Sequence, residues 1–152
     1  MKCFNFKSAA AAVMAAAALI ACQKEQENNN GNQGTTELKG YVTEDLKLES
    51  GKAYTLTGSL QVKAPATLTI EKGVTLTAKD NGEINYILIE QGAKINAAGT
   101  KEEPIVLTAE RKEKGAWGGV HICGRAHSNA GTGNTSEIGN APYGGNVEND
   151  NS

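Results

Sequence analysis

The sequence predicts an all-β solenoid, a single-stranded parallel β-helix of about four rungs, preceded by an N-terminal signal segment and a flexible tether. Three observations lead there. A Leu/Ile-Glu-x-Gly tetrapeptide recurs at Leu48–Gly51, Ile70–Gly73 and Ile89–Gly92, at spacings of 22 and 19 residues, and repeats of about 20 residues mark solenoids. Short runs such as Tyr54-Thr-Leu-Thr, Leu68-Thr-Ile-Glu, Val74-Thr-Leu-Thr and Ile105-Val-Leu-Thr alternate with period two, and Gly, Asn, Pro or Asp separates them. No segment after residue 22 carries an apolar stripe with helical spacing. Two or three short strands and sharp turns in each ~20 residues describe one rung of a β-helix.

The 152 residues allow one domain, and 39% of them are hydrophobic. Much of that fraction sits in residues 1–21. Lys2 and Lys7 form a cationic start, and an apolar run follows from Ala9 to Ala21. The run is too short to span a bilayer and has the length of a signal-peptide core. It ends in Leu19-Ile20-Ala21-Cys22, which resembles the lipobox of bacterial lipoproteins. That resemblance implies cleavage before Cys22 and acylation of its thiol. Acyl chains contribute about 0.8 kcal/mol per buried CH₂, and stable anchoring takes more than one chain. Removal of residues 1–21 takes Lys2 and Lys7 away, so the formal charge of −2 becomes −4. This mild acidity excludes a nucleic-acid binder that works through a broad basic face.

Residues 22–37 form the lipidated Cys and its tether. Gln23–Thr36 reads QKEQENNNGNQGTT and has no apolar residue. It cannot bury enough surface to offset the entropy of ordering. Its start, Gln23-Lys24-Glu25-Gln26-Glu27, resembles the export signals that follow the lipidated Cys in Bacteroidetes surface lipoproteins. The expected location is therefore the outer membrane, facing the cell surface, with the periplasmic face as the alternative. Cys3 leaves with the signal and Cys22 is the lipid site, so Cys123 is left without a disulfide partner. The core must hold the fold.

The rungs are expected over residues 38–127. Gly51, Gly73 and Gly92 fall where one short strand bends into the next, a corner that often needs φ > 0. Leu48, Ile70 and Ile89 are expected to stack in one column, and Leu56, Leu76 and Ile95 to form others. Residues 128–152 hold six Asn and five Gly without apolar alternation, and read as a loop. The sequence stops where a further strand is expected, so a fragment of a longer protein is anticipated. Its last rung would then expose an unpaired edge, which invites aggregation or pairing with another chain.

The stretch from Leu56 to Ala126 resembles the N-terminal part of the right-handed parallel β-helix lipoproteins of Bacteroidetes. Three blocks carry it: Leu68–Ala78, Gly99–Ala109 and Gly115–Gly124. In the third, Trp117-Gly118-Gly119 followed by a short strand looks like a rung-closing signature. The fold implied is shared with pectate-lyase-like proteins, but no catalytic motif comes with it.

Several constellations combine residue types that can carry chemistry. Glu49, Glu71 and Glu90 share a repeat position and could form a carboxylate ladder, hence a cation site or an acid/base pair. Recurrence in every rung favours architecture, with lysines such as Lys52, Lys72 and Lys94 relieving the charge. His121, Cys123 and His127 give H-x-C-x₃-H, ligand types that suit zinc, but a fourth ligand is missing. Val120 and Ile122 are expected to face inward, with His121 and Cys123 outward. Asp80-Asn81-Gly82-Glu83 and Glu148-Asn149-Asp150-Asn151 are oxygen-rich without the spacing of a calcium loop, so turn formation explains the first and disorder the second. Ser50-Gly51-Lys52 lacks the upstream Gly of a phosphate loop. Trp117 and Tyr143 are candidate sugar-stacking rings, with packing the simpler role for Trp117. No catalytic residue, metal or cofactor is expected.

The favoured function is a lipid-anchored, non-enzymatic surface module that binds a glycan or a protein along its flanks, with no nucleic-acid partner. The alternatives are a polysaccharide-active, pectate-lyase-like enzyme whose catalytic rungs lie outside this chain, and a nonfunctional truncation.

Overall fold

A computed structural model describes residues 36–148 and Asp150. The signal segment, Leu19-Ile20-Ala21-Cys22 and nearly all of the tether lie outside the described residues, as do Asn149, Asn151 and Ser152. Among the described residues eleven strands run in order: β1 (Glu37–Val42), β2 (Leu46–Leu48), β3 (Ala53–Val62), β4 (Thr67–Ile70), β5 (Thr75–Ala78), β6 (Tyr86–Ile89), β7 (Lys94–Ala97), β8 (Val106–Ala109), β9 (Gly119–Ile122), β10 (Asn134–Thr135) and β11 (Pro142–Tyr143). All strands up to β9 pair in parallel. Among the described residues, only the β10–β11 hairpin is antiparallel.

Connectivity explains the parallel pairing. The sheet β2-β4-β7 collects the first strand of each circuit. The ten-residue β3 spans two faces. Its first half stacks on β5, which stacks on β8, and its second half stacks on β6, which stacks on β9. β1 lies over both halves of β3. The chain therefore visits three faces in rotation and returns above itself, so each backbone group meets the next circuit rather than water. This arrangement is all-β and consistent with a β-helix.

Alternation selects which side chains enter. The strands β3, β4 and β5 bury every second residue, and the inward set includes Leu56, Leu60, Val62, Leu68, Ile70 and Leu76. Aligned aliphatics run through the stack as columns: Leu46–Leu68–Ile95, Leu60–Ile87–Val120 and Val62–Ile89–Ile122. In β6 three consecutive residues, Ile87, Leu88 and Ile89, are buried. Leu88 faces outward and is covered by Cys123 and Ala141, with Tyr86 and Tyr143 at the margin. The stretch 128–152, expected to be a loop, thus brings Ala141 and Tyr143 back onto the outside of the sheet.

The expected columns need correction. Leu48 does stack on Ile70, but Ile70 stacks on Ala97, whereas Ile89 lies between Val62 and Ile122 on another face. Likewise Leu56 meets Ala78, Leu76 meets Tyr54 and Leu107, and Ile95 meets Leu68. The tetrapeptide is a local device. In each copy the residue after Gly donates its N–H to the Glu carbonyl: Lys52 to Glu49 at 3.3 Å, Val74 to Glu71 at 3.4 Å and Ala93 to Glu90 at 3.0 Å. The Gly is third in each turn, with φ of 71°, 74° and 84° for Gly51, Gly73 and Gly92. A four-residue turn of that kind requires φ > 0 at its third position, which a Cβ would strain. It recurs at three corners, while the Lys63–Ala66 corner closes without a Gly, Ala66 donating its N–H to the Lys63 carbonyl at 2.9 Å. Gly51 and Gly73 share one corner, while Gly92 serves a different one, beneath Ala64.

The circuit length is also less regular than a ~20-residue repeat. Contacts between successive circuits span 22, 27, 31 and 33 residues as the stack descends. The growth lies in the corners, where residues 98–105 and 110–118 are longer than their counterparts above.

Burial sets unequal stakes along one column. Leu68 is fully enclosed, whereas Ile95 below it is half-buried. The change Leu68→Ala is expected to cost about 2–5 kcal/mol, and Ile95→Ala about 1–2 kcal/mol because part of its surface is already wet. Urea unfolding of both variants measures the difference.

Candidate functional site

Three regions hold the residues that could carry function. The first is a cleft of about 470 Å³ beside β9, a size typical of ligand pockets. Five consecutive residues, Val120–Gly124, form one wall, and His127, Ser128, Ser136 and Tyr143 contribute to the rest. Consecutive residues point to both sides of a strand, so this cleft follows the strand's free edge. No Asp, Glu, Lys or Arg lines it.

His121 lies within 2.7 Å of the Gly118 carbonyl through Nε2, and its ring meets Tyr86 edge-on with centroids 6.3 Å apart. Cys123 is buried against Leu88 and Ala141. Desolvation pushes its thiol pKa up, and the negative charge of Glu90 adds to that shift. Among the described residues, no three His, Cys, Asp or Glu converge as a metal site. His121 and Cys123 serve packing and a backbone contact, and His127 is exposed at the cleft. The inward expectation holds for Val120, which packs on the core. Ile122 continues the inward column of Val62 and Ile89 but is 54% exposed, because no described strand lies beyond it. Cys123, expected to face solvent, is enclosed by the returning segment instead.

Trp117-Gly118-Gly119 explains the approach to β9. Trp117 is half-buried against the core. Gly118 donates its N–H to the Asn85 carbonyl at 2.8 Å, and a Cβ there would sit 2.9 Å from Tyr86 Cβ. Gly119 takes a φ of 82° as the strand begins. Close approach and backbone reversal thus make two different demands on adjacent glycines.

The second region is the set of corner carboxylates. Glu49 pairs with Lys52, Glu90 with Lys63, and Glu71 with Lys47 at 2.7 Å. Lys72 is taken by Glu103. Ser50 N–H donates to Glu71 Oε2 at 2.8 Å, tying one corner to the next. The three carboxylates do not form one ladder, since Glu90 occupies a different corner from Glu49 and Glu71. Hydrogen bonding to Lys47, then to the Ser50 N–H, lowers the Glu71 pKa, and Glu71 in turn raises that of Lys47.

In the oxygen-rich turn, Asn81 Oδ1 accepts from the Glu83 N–H and from Asn85 Nδ2, both at 3.2 Å, and Asn81 Nδ2 donates to the Thr57 carbonyl. These are turn contacts. Asn85, only 1% exposed, was not singled out by the sequence pattern. It caps the corner by donating to the Lys79 carbonyl at 2.8 Å.

The third region is the outer flank of the sheet. Tyr41 is 59% exposed, and Lys63 Nζ stands 4.7 Å from its ring centroid. Tyr41 sits beside Gln61 in register, and Gln61 Nε2 is 3.4 Å from Tyr86 Oη. Tyr143, the other ring considered for stacking, lies half-buried at the cleft.

With this geometry in place, the family follows. The chain matches the pectate-lyase like beta helix domain over residues 40–152 and belongs to that family. No curated protein and no solved structure matches it.

The lowered Glu71 pKa has a signed consequence. A carboxylate favoured in its charged form stabilises the fold above the ordinary carboxylate range, and that contribution is lost as pH falls through its folded-state value. Glu71→Gln should therefore lower stability at neutral pH, where that contribution is present, leave it nearly unchanged at the acid end, and so flatten part of the acid limb of the stability profile. Urea midpoints measured across the acid range test this.

Proposed function

We propose that this protein is a lipid-anchored component of the outer membrane, facing the cell surface, whose right-handed β-helix of about four rungs is a non-enzymatic module that binds a glycan or a protein. The observation that carries the non-enzymatic reading is the pairing of the corner carboxylates. Glu49, Glu71 and Glu90, the residues best placed by their recurrence to hold a cation or to exchange a proton, are each engaged by a lysine. The flank with Tyr41, Gln61 and Tyr86 presents an exposed ring, steadied on one face by the Glu90-paired Lys63, beside amide and phenol groups on a rigid sheet, which suits binding of an extended ligand. Anchoring rests on the sequence: the cationic start, the apolar run and Leu19-Ile20-Ala21-Cys22.

Family membership favours a second reading, a polysaccharide-active protein. Fold alone does not assign that chemistry. Incubation of the protein isolated from its native host, with any rungs beyond this chain in place, with uronic-acid polymers and calcium separates the two: unchanged polymer agrees with the binding module, and chain cleavage supports the enzyme.

The anchor has its own test. In the native host, labelled fatty acid should enter the protein, and Cys22→Ser should abolish the label and release the protein from the membrane fraction. Label retained by Cys22→Ser would contradict the assignment.

A further inference from the structure

After β9 the chain makes a closed excursion over the outside of the sheet. Its two stems are bonded to each other. Gly144 donates its N–H to the Gly124 carbonyl at 2.9 Å, Gly145 to the Ala126 carbonyl at 3.0 Å and Val147 to the Arg125 carbonyl at 3.1 Å. Arg125 and Asp150 pair beside them. Among the described residues β10 and β11 pair only with each other, so no strand ladder ties the excursion to the solenoid. What it covers is Leu88. Gly139 lies so close that a Cβ there would sit 2.9 Å from Leu88 Cδ2, and Ala141 packs on the same side chain. Leu88, Cys123 and Ala141 form an apolar cluster of their own, separate from the main core.

We infer that residues 125–147 are a hinged strap, latched by Gln91, that lifts from the sheet as one body while the solenoid stays folded. Segments with few buried apolar contacts and no ladder to the core open at a lower cost than the whole domain. Ala141 is the only buried residue of 125–147, and it is a small one. The stem bonds lie within the excursion and survive its lifting, and Gly124, Gly144 and Gly145 stand at the stems, where backbone angles must change. The latch is one side chain. Gln91 Nε2 donates to the Gly124 carbonyl at 2.9 Å and to the Gly144 carbonyl at 3.0 Å, holding both stems against the corner of the sheet. Lifting uncovers Leu88. Tyr41, Gln61, Leu88 and His121 form one outward column in register, so the open state lengthens the flank that begins at exposed Tyr41. The strap is defined by contacts within the chain and needs neither a ligand nor an anchor, so its test is separate from that of the binding role.

Cys123 reports the opening, because it is 3% exposed beneath the closed strap. The full chain is treated with dilute N-ethylmaleimide at one pH, and the peptide carrying Cys123 is followed by mass spectrometry, which separates it from other thiols. Slow labelling proportional to reagent is expected while circular dichroism stays native. Gln91→Ala removes both latch bonds and should speed labelling about tenfold. Ile95→Ala weakens the main core and should leave the rate unchanged. In the natural sequence, urea below the unfolding transition should raise the rate only weakly, since lifting the strap exposes little surface. Labelling that Ile95→Ala accelerates as much as Gln91→Ala, or that rises with urea as steeply as global unfolding, would show that Cys123 reacts only through the unfolded chain and overturns the proposal. So does a rate indifferent to Gln91→Ala, or a Cys123 that reacts as fast as a free thiol.

Discussion

Register between successive circuits is the constraint on which everything else depends. A parallel strand that slips by one residue sends its inward set to solvent, so Leu60, Ile87 and Val120 must align if any of them is to be buried. The column holds because each face repeats the same parity: Val62 over Ile89, Leu68 over Ile95, Leu76 over Leu107. Dispersion and burial favour aligned aliphatics, and the ladder of backbone hydrogen bonds then follows at no cost to the packing. Corners adapt to whatever length the chain supplies. The stack tolerates steps from 22 to 33 residues because the additional residues leave through loops rather than through the strands.

The corners do a different kind of work from the faces. The Glu-x-x turn with its left-handed Gly fixes the direction in which the chain leaves a strand. The paired lysines then neutralise the carboxylates that project there. Lys47–Glu71 and Lys63–Glu90 each join residues of successive circuits, separated in sequence by much more than a turn. Such pairs at a surface contribute little individually. Their value lies in preventing rows of like charge from building up as circuits stack. On the proposed binding role, that arrangement leaves the sheet flank around Tyr41, rather than the corners, for contact with a ligand.

The strand class was readable because β-branched alternation and turn residues act locally. The stacking was not, and the reason is instructive. Ile70-Glu-Lys-Gly and Ile89-Glu-Gln-Gly look like successive repeats, yet they are two corners of one circuit, since the same turn solves the same steric problem at each. Sequence similarity reported the turn and not the register. Leu88 was illegible for another reason. Its outward position is apolar because the segment around Cys123 and Ala141 returns to cover it, a tertiary contact with no local signature. Asn85 has no local signature, because its buried amide is explained by the tertiary placement of its acceptors, the Lys79 carbonyl and Asn81 Oδ1. Trp117-Gly118-Gly119, in contrast, stood out, and its glycines meet demands of close approach and positive φ that act within a few residues.

The most direct test of the stacking uses Asn96, whose neighbour differs between the register in the structure and the one suggested by aligning the tetrapeptides. In a chain whose native cysteines are replaced by Ala, Asn96→Cys is combined with either Thr69→Cys or Thr77→Cys and oxidised. Thr69 lies directly across from Asn96 in the β4–β7 ladder, so that pair should close a disulfide nearly completely while the Thr77 pair stays reduced. Closure with Thr77 in preference to Thr69 would contradict the account at its base.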